Sequence, residues 1–150
     1  MAQNMDVLIV EPGKAPRPAV IHNTLESVEA VLGGAVQVGC FLPQKVLLFS
    51  REDTTGLAPN RCLPGGNGYI NGTFLLCGIP EKGCLFDSLT AGQQKEFQDI
   101  FARPGEFMIA GNTVYANPDD VADVVYEPWE NLPDDDTVVL TKWSGTESEA

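Results

Sequence analysis

The sequence predicts a small α+β protein, with a mixed, largely antiparallel sheet, about two helices packed on one face, and an acidic C-terminal extension. Short apolar runs bounded by glycine and proline are typical of strands. Two segments carry helix-start signals followed by apolar residues at helical spacing. The length of 150 residues suits one domain. We therefore expect a compact domain over residues 1–117 and a partly disordered extension over residues 118–150.

The strands are predicted from these runs and the turns between them. Val7–Val10 and a return strand at Ala19–Ile21 flank a Pro-Gly turn, which indicates an opening hairpin. Val46–Phe49 is the clearest candidate for a central strand. Further strands are expected at residues 36–38, 60–63 and 72–78, in a last hairpin of 107–110 with 113–116 around Gly111, and as an edge strand at 138–140.

The helices are predicted from their caps. Asn23 can cap a helix that carries Leu25, Val28, Val31 and Leu32 on one face, and Gly33-Gly34 can end it in the left-handed conformation. The pattern Thr90-Ala91-Gly92-Gln93 forms a capping box. It opens a second helix, whose inner face is expected to carry Phe97, Ile100 and Phe101.

The charge of the chain excludes some kinds of partner. The net charge is −12, and residues 118–150 contribute ten acids against the single base Lys142, a balance of −9. Residues 1–117 hold 11 acids and 8 bases. Direct binding to nucleic acid or to an anionic membrane surface is disfavoured, because both need a basic surplus. The apolar runs are too short to span a bilayer and the N-terminus lacks a basic region, so a cytoplasmic location is expected.

The cysteines and the histidine give no catalytic or metal-binding pattern. The chain has no Cys-x-x-Cys pair, and its only histidine, His22, lies far from any cysteine in sequence. We therefore expect no metal and no cofactor. A small hydrolase would have to use His22, although a surface or capping role is more usual for such a residue. The four cysteines, Cys40, Cys62, Cys77 and Cys84, are expected to be reduced and mostly buried.

The candidate ligand-binding residues centre on Arg61. A guanidinium beside Asn60 in an apolar neighbourhood suits a phosphate or a carboxylate. Lys14 and Arg17 could converge on the same anion, and Tyr69 could stack on a base. The alternative is a structural ion pair of Arg61 with Glu11 or Asp53. The candidate set is Lys14, Arg17, Asn60, Arg61 and Tyr69.

Several of these segments resemble a known family. The opening Val7-Leu8-Ile9-Val10-Glu11-Pro12-Gly13-Lys14, the Pro59-Asn60-Arg61-Cys62-Leu63 segment and the Gly72–Gly78 strand are similar to a family called domain of unknown function 3846. The resemblance covers residues 5–117. It implies a protein of phages, plasmids and bacterial accessory regions, and it brings no catalytic motif.

Three functions remain open from the sequence. The first is a non-enzymatic binding protein of a phage or mobile element, a counter-defence protein that sequesters a small anionic, nucleotide-like signal. The second is an acidic inhibitor that binds a host defence enzyme in place of DNA. The third is a hydrolase using His22. Pairing of short edge strands also makes a homo-oligomer plausible.

Overall fold

The computed structural model describes residues 4–42, 44–63, 69–79, 86–111, 113–117 and 124–128. Its strands are β1 (Asn4–Val10), β2 (Arg17–His22), β3 (Val36–Leu42), β4 (Val46–Arg51), β5 (Pro59–Cys62), β6 (Tyr69–Asn71), β7 (Phe74–Gly78), β8 (Phe107–Ala110), β9 (Thr113–Ala116) and β10 (Val125–Pro128), and its helices are α1 (Leu25–Leu32) and α2 (Ala91–Ile100).

The main sheet has six strands in the order β10-β3-β4-β7-β1-β2, and every neighbouring pair is antiparallel. The α+β class and the largely antiparallel sheet are thus confirmed. Two smaller antiparallel pairs, β5 with β6 and β8 with β9, lie outside this sheet. The opening hairpin, the strand at Val46–Phe49 and the last hairpin all form as the sequence predicts.

The helices cover opposite faces of the sheet, although both were expected on one face. Val7 and Ile9 of β1 belong to a core that contains Val28 of α1. Leu8 and Val10 belong to a second core that contains Phe97 and Phe101 at α2. The physical reason is that β1, β4 and β7 are apolar at consecutive positions. Because successive side chains point to opposite faces of a strand, both faces need a cover.

The caps explain where the helices begin and end. Thr24 caps α1 by accepting from Ser27 N–H, in place of the expected Asn23. The Asn23 side chain instead bonds both backbone groups of Phe86. Gly33 ends α1 with a φ of 92°, as predicted. The capping box at Thr90 and Gln93 is also confirmed.

β10 shows that part of the predicted extension belongs to the sheet. Val125–Pro128 pairs with β3, and the neighbouring Val124 is buried in the core on the α2 side. These residues lie beyond position 117, where the compact domain was expected to end. The strand predicted at residues 138–140 lies outside the described residues.

Candidate functional site

Asn60 and Arg61, called the anchor pair below, lie in the interior and bond to backbone carbonyls. Their side chains are 1% and 3% exposed. The Arg61 guanidinium donates from Nε and Nη2 to Phe101 O, from Nη1 to Asn60 Oδ1 and Asn60 O, and from Nη2 to Lys14 O. These bonds use the full donor set of the guanidinium. The arrangement therefore leaves Arg61 no N–H with which to hold an anion.

The charge of Arg61 is balanced by carbonyl dipoles. Phe101 is the C-terminal cap of α2, where the helix dipole is negative and a cation is stabilised. Burial lowers the pKa of the Arg61 guanidinium. Glu11 pairs with Arg17, whose Nε lies 3.3 Å from Glu11 Oε1. The donors of Arg61 all go to carbonyl oxygens and to Asn60 Oδ1, so the alternative of an ion pair with Glu11 or Asp53 does not form.

Asn60 ties together elements that are distant in sequence. Its side-chain Nδ2 donates to Val10 O of β1 and to Gly72 O of the turn between β6 and β7, both at 2.9 Å. Its own carbonyl accepts from Gly105 N–H at 3.3 Å. The anchor pair thus joins β1, the β1–β2 turn, the end of α2 and the chain that leads into β8.

The β8–β9 hairpin, called the arm below, leaves the body at this point. At its base the ring of Phe107 meets Tyr69 edge-on, with centroids 5.7 Å apart. Cys62 Sγ lies 3.8 Å from Asn117 O, just after β9. Asn117 N–H donates to Glu106 O at 3.2 Å, which closes the base of the arm. Tyr69, predicted to stack on a base, instead packs against the arm.

The outer part of the arm presents apolar side chains to solvent. Met108, Ile109 and Tyr115 are 65%, 62% and 54% exposed. Met108 lies directly opposite Tyr115 in the ladder, and Ile109 lies opposite Val114. Because successive residues point to opposite faces, both faces of the arm carry exposed apolar surface. A two-stranded hairpin is marginally stable alone, so the anchor at its base must hold it in place.

The two remaining predicted ligand residues are Lys14, on the β1–β2 turn, and Arg17, the first residue of β2. Lys14 and Arg17 are exposed, and Arg17 pairs with Glu11. The carbonyl of Lys14 contacts Arg61, but the Lys14 side chain does not take part in that bond. Lys14 thus meets the anchor pair through its backbone carbonyl, while Asn60 and Arg61 bond to each other through their side chains. The structure does not assemble the three side chains around one open space.

The buried thiols are poorly suited to nucleophilic chemistry. Cys40, Cys62 and Cys77 are reduced and buried, as expected, and Cys84 lies outside the described residues. Burial raises the pKa of the Cys40 thiol to about 11 and raises that of Cys77 as well. A thiol must ionise before it attacks, so both are protonated near neutral pH. His22 lies exposed at the end of β2.

Within the described ranges, no three His, Cys, Asp or Glu side chains group in a way that could hold a metal ion. None of the helices in this part of the chain has the length and apolar content needed to cross a membrane.

Sequence reasoning missed the exposed residues of the arm. Phe107–Ala110 is a continuous apolar run, and such a run is typical of a buried strand. Nothing local distinguishes an apolar strand that joins the core from one that projects beyond it. The Gly111 turn predicted the hairpin correctly. The exposure of the hairpin, however, depends on where the anchor pair holds the base of the arm.

The fold and this site define a small α+β domain that carries a projecting apolar hairpin on a buried polar anchor. The chain belongs to the family described as domain of unknown function DUF3846, whose model matches residues 5–102. The match includes the anchor pair and ends before the arm. No curated protein and no solved structure matches the chain.

Proposed function

We propose that this protein is a non-enzymatic binding protein that contacts another polypeptide through its arm. The observation that carries the proposal is the exposure of Met108, Ile109 and Tyr115 on a hairpin whose base is fixed by the Gly105 N–H bond to Asn60 O and by the ring contact of Phe107 with Tyr69. In the described part of the chain, the other large apolar side chain with comparable exposure is Val20 of β2. Exposed apolar surface is therefore concentrated on one projecting element.

The residue types on the arm suit protein recognition. Tyrosine and methionine are enriched in protein interfaces, where tyrosine also offers a hydroxyl for a hydrogen bond. Methionine adapts its shape to a partner because its side chain is unbranched and flexible. The anchor fixes the base of the arm before binding, so less conformational entropy is lost when a partner docks.

Charge favours a basic partner. The chain carries a net charge of −12, which accelerates encounter with a positively charged protein and disfavours an acidic one. The resemblance to a family of phages and mobile elements supports a setting inside the bacterial cytoplasm. The proposed partner is a host defence protein with a basic, nucleic-acid-binding surface, which this protein would inhibit.

A second candidate function is the sequestration of a small anionic, nucleotide-like signal. The observation that favours it is the pair of exposed cations Lys14, on the β1–β2 turn, and Arg17, at the start of β2. Arg61 holds the backbone of this turn through Lys14 O. This version would rely on those two side chains, since the donors of Arg61 are already used. Titration calorimetry with nucleotides tests it, and a Lys14→Met, Arg17→Met double variant should lose any binding observed.

The test of the main proposal compares matched variants in bacterial cells that carry nucleic-acid-directed defences. A double Met108→Ser, Tyr115→Ser variant should lose the partner that co-purifies with the wild-type protein, and should lose inhibition of the defence. Val20→Thr is the matched control, because it makes an equally exposed apolar side chain on β2 polar while keeping its β-branched shape. Loss of partner and inhibition in the control but not in the arm variant would overturn the proposal.

A further inference from the structure

The outer edge of β2 exposes backbone hydrogen-bonding groups at alternate residues. In the described part of the chain, β2 ends the six-stranded sheet. Pro18 lies opposite Leu8 of β1 and has no N–H, so this pair cannot be one that exchanges two hydrogen bonds. Such pairs alternate along an antiparallel ladder. Val20 and His22 therefore belong with Pro18, and all three turn their backbone groups away from β1.

The bonding of Asp6, which lies opposite Val20, supports this assignment. Asp6 N–H donates to Ser88 Oγ at 2.8 Å, and Asp6 O accepts from Leu89 N–H at 2.9 Å. Both backbone groups of Asp6 thus point away from β2. The N–H and C=O of Val20 are left facing outward.

We propose that this edge binds a second copy of the chain by antiparallel β2–β2 pairing about a two-fold axis at Val20. In this register the two Val20 residues exchange N–H···O=C bonds with each other. Each His22 N–H donates to Pro18 O of the other copy. The contact joins two six-stranded sheets into one continuous sheet.

Pro18 is the residue of β2 that lacks an N–H, and its place in this register costs no hydrogen bond. It lies opposite His22 of the second copy and cannot donate to His22 O. Here His22 O already accepts from Thr24 N–H at 2.9 Å in the same chain. The missing donor therefore faces an acceptor that is already satisfied, which is why a second copy fits this edge.

The side chains along the same edge are compatible with this pairing. Val20 is 63% exposed, and the two-fold axis places it against Val20 of the second copy. Pro18 falls opposite His22, so no like charges meet across the new ladder. Because both copies use the same edge, the contact is closed and stops at a dimer.

The test is sedimentation equilibrium of the full chain over a range of concentrations. The wild-type mass should rise from 16.1 kDa to twice that value with concentration. Val20→Lys places two like charges opposite each other and should weaken the dimer at least tenfold. Val20→Thr, which keeps a β-branched side chain at an exposed position, and Met108→Ser on the arm should leave the dimer intact.

A second measurement keeps the proposal falsifiable if Val20→Lys fails to fold. Amide hydrogen exchange at Val20 and His22 should be slow in concentrated wild-type protein and become faster on dilution. A wild-type chain that stays at 16.1 kDa would overturn the proposal. So would a dimer that Met108→Ser dissolves, or protection of these amides that does not change with concentration.

Discussion

The Arg61 guanidinium donates two hydrogen bonds to the carbonyl oxygen of Phe101, from Nε at 3.2 Å and from Nη2 at 2.9 Å. Phe101 caps the C-terminal end of α2, and the chain turns from there towards the arm. One buried cation thus fixes the end of a helix and the start of the projecting hairpin. The anchor, the base of the arm, the cap of α2 and the buried Cys40 thiol each lead to a prediction about stability.

The first prediction concerns Arg61 itself. Arg61→Met keeps most of the side-chain volume but leaves the buried acceptors Phe101 O and Asn60 Oδ1, and the part-buried Lys14 O, without their donor. We expect the free energy of unfolding to fall by about 3 kcal/mol, because each unpaired buried acceptor is costly. Urea denaturation measures the change. Arg17→Met, which breaks an exposed ion pair, should cost less than about 1 kcal/mol, and equal losses in the two variants would contradict the anchor role.

The second prediction tests the close packing at Gly105. A Cβ atom at this position would lie 2.7 Å from Cε2 of Phe107 and 3.0 Å from Asn60 O. Gly105→Ala should therefore displace the base of the arm and destabilise the protein by about 1–3 kcal/mol. Hydrogen exchange should quicken in β8 and β9.

Gly92→Ala is the matched control for this glycine. A Cβ atom at Gly92 has its nearest neighbour at 3.9 Å, and the residue lies in the first turn of α2. Alanine there should raise stability by up to about 1 kcal/mol. If both alanines stabilise the protein, the tight contact at Gly105 is not present in solution.

The third prediction concerns the capping box of α2. Thr90 Oγ1 accepts from Gln93 N–H at 3.0 Å, and Gln93 Oε1 accepts from Thr90 N–H at 2.9 Å. Thr90→Ala removes one half of this exchange and should cost about 1 kcal/mol. Thermal or urea unfolding gives the value. Thr90→Ser keeps the hydroxyl and should recover most of the loss; no recovery would mean that the methyl group, not the cap, matters.

The fourth prediction is a pH dependence from Cys40. Burial raises the pKa of this thiol from 9.0 to about 11, while nearby Lys45 opposes part of the shift. Between pH 9 and about pH 11 the thiol is therefore protonated in the folded state and ionised in the unfolded chain. The contribution of the protonated Cys40 thiol to the free energy of unfolding is complete below pH 9 and is lost as the pH rises towards 11.

Comparison with Cys40→Ala isolates this contribution from other groups that titrate at high pH. The wild-type free energy of unfolding should fall more steeply than that of the variant across this range, as measured by urea titrations at several pH values. Parallel curves for the two proteins would show that the Cys40 thiol ionises normally in the folded state.

Local signals made much of the fold predictable from the sequence. The Pro12-Gly13 turn, the Gly33 helix end and the Thr90–Gln93 capping box each act within a few residues, and each forms as expected. The predicted cap Asn23 was wrong for a reason that is distant in sequence. Its side chain bonds the backbone of Phe86, and Thr24 caps α1 instead.

The site was less predictable because its determinants are distant in sequence. Arg61 stands out in the sequence as a cation in an apolar segment. Its acceptor Phe101 O lies 40 residues away, and only the tertiary fold brings the two together. The same holds for the exposure of Met108, which no local pattern encodes. Residue type thus indicated which positions carry unusual side chains, but not whether those side chains face a ligand, the solvent or the interior.

The most direct test of the central claim is site-specific photo-crosslinking from the arm, in bacterial cells where the protein inhibits a defence. The photoreactive residue replaces Met108 or Tyr115 in one set, and exposed Lys95 or Glu96 on α2 in the control set. We expect one defined polypeptide to crosslink from the arm positions and not from α2. Ile109→Ser should reduce the yield of this crosslinked product. Crosslinking of that polypeptide from α2 alone, or inhibition with no crosslink from the arm, would contradict the claim that the arm is the binding surface.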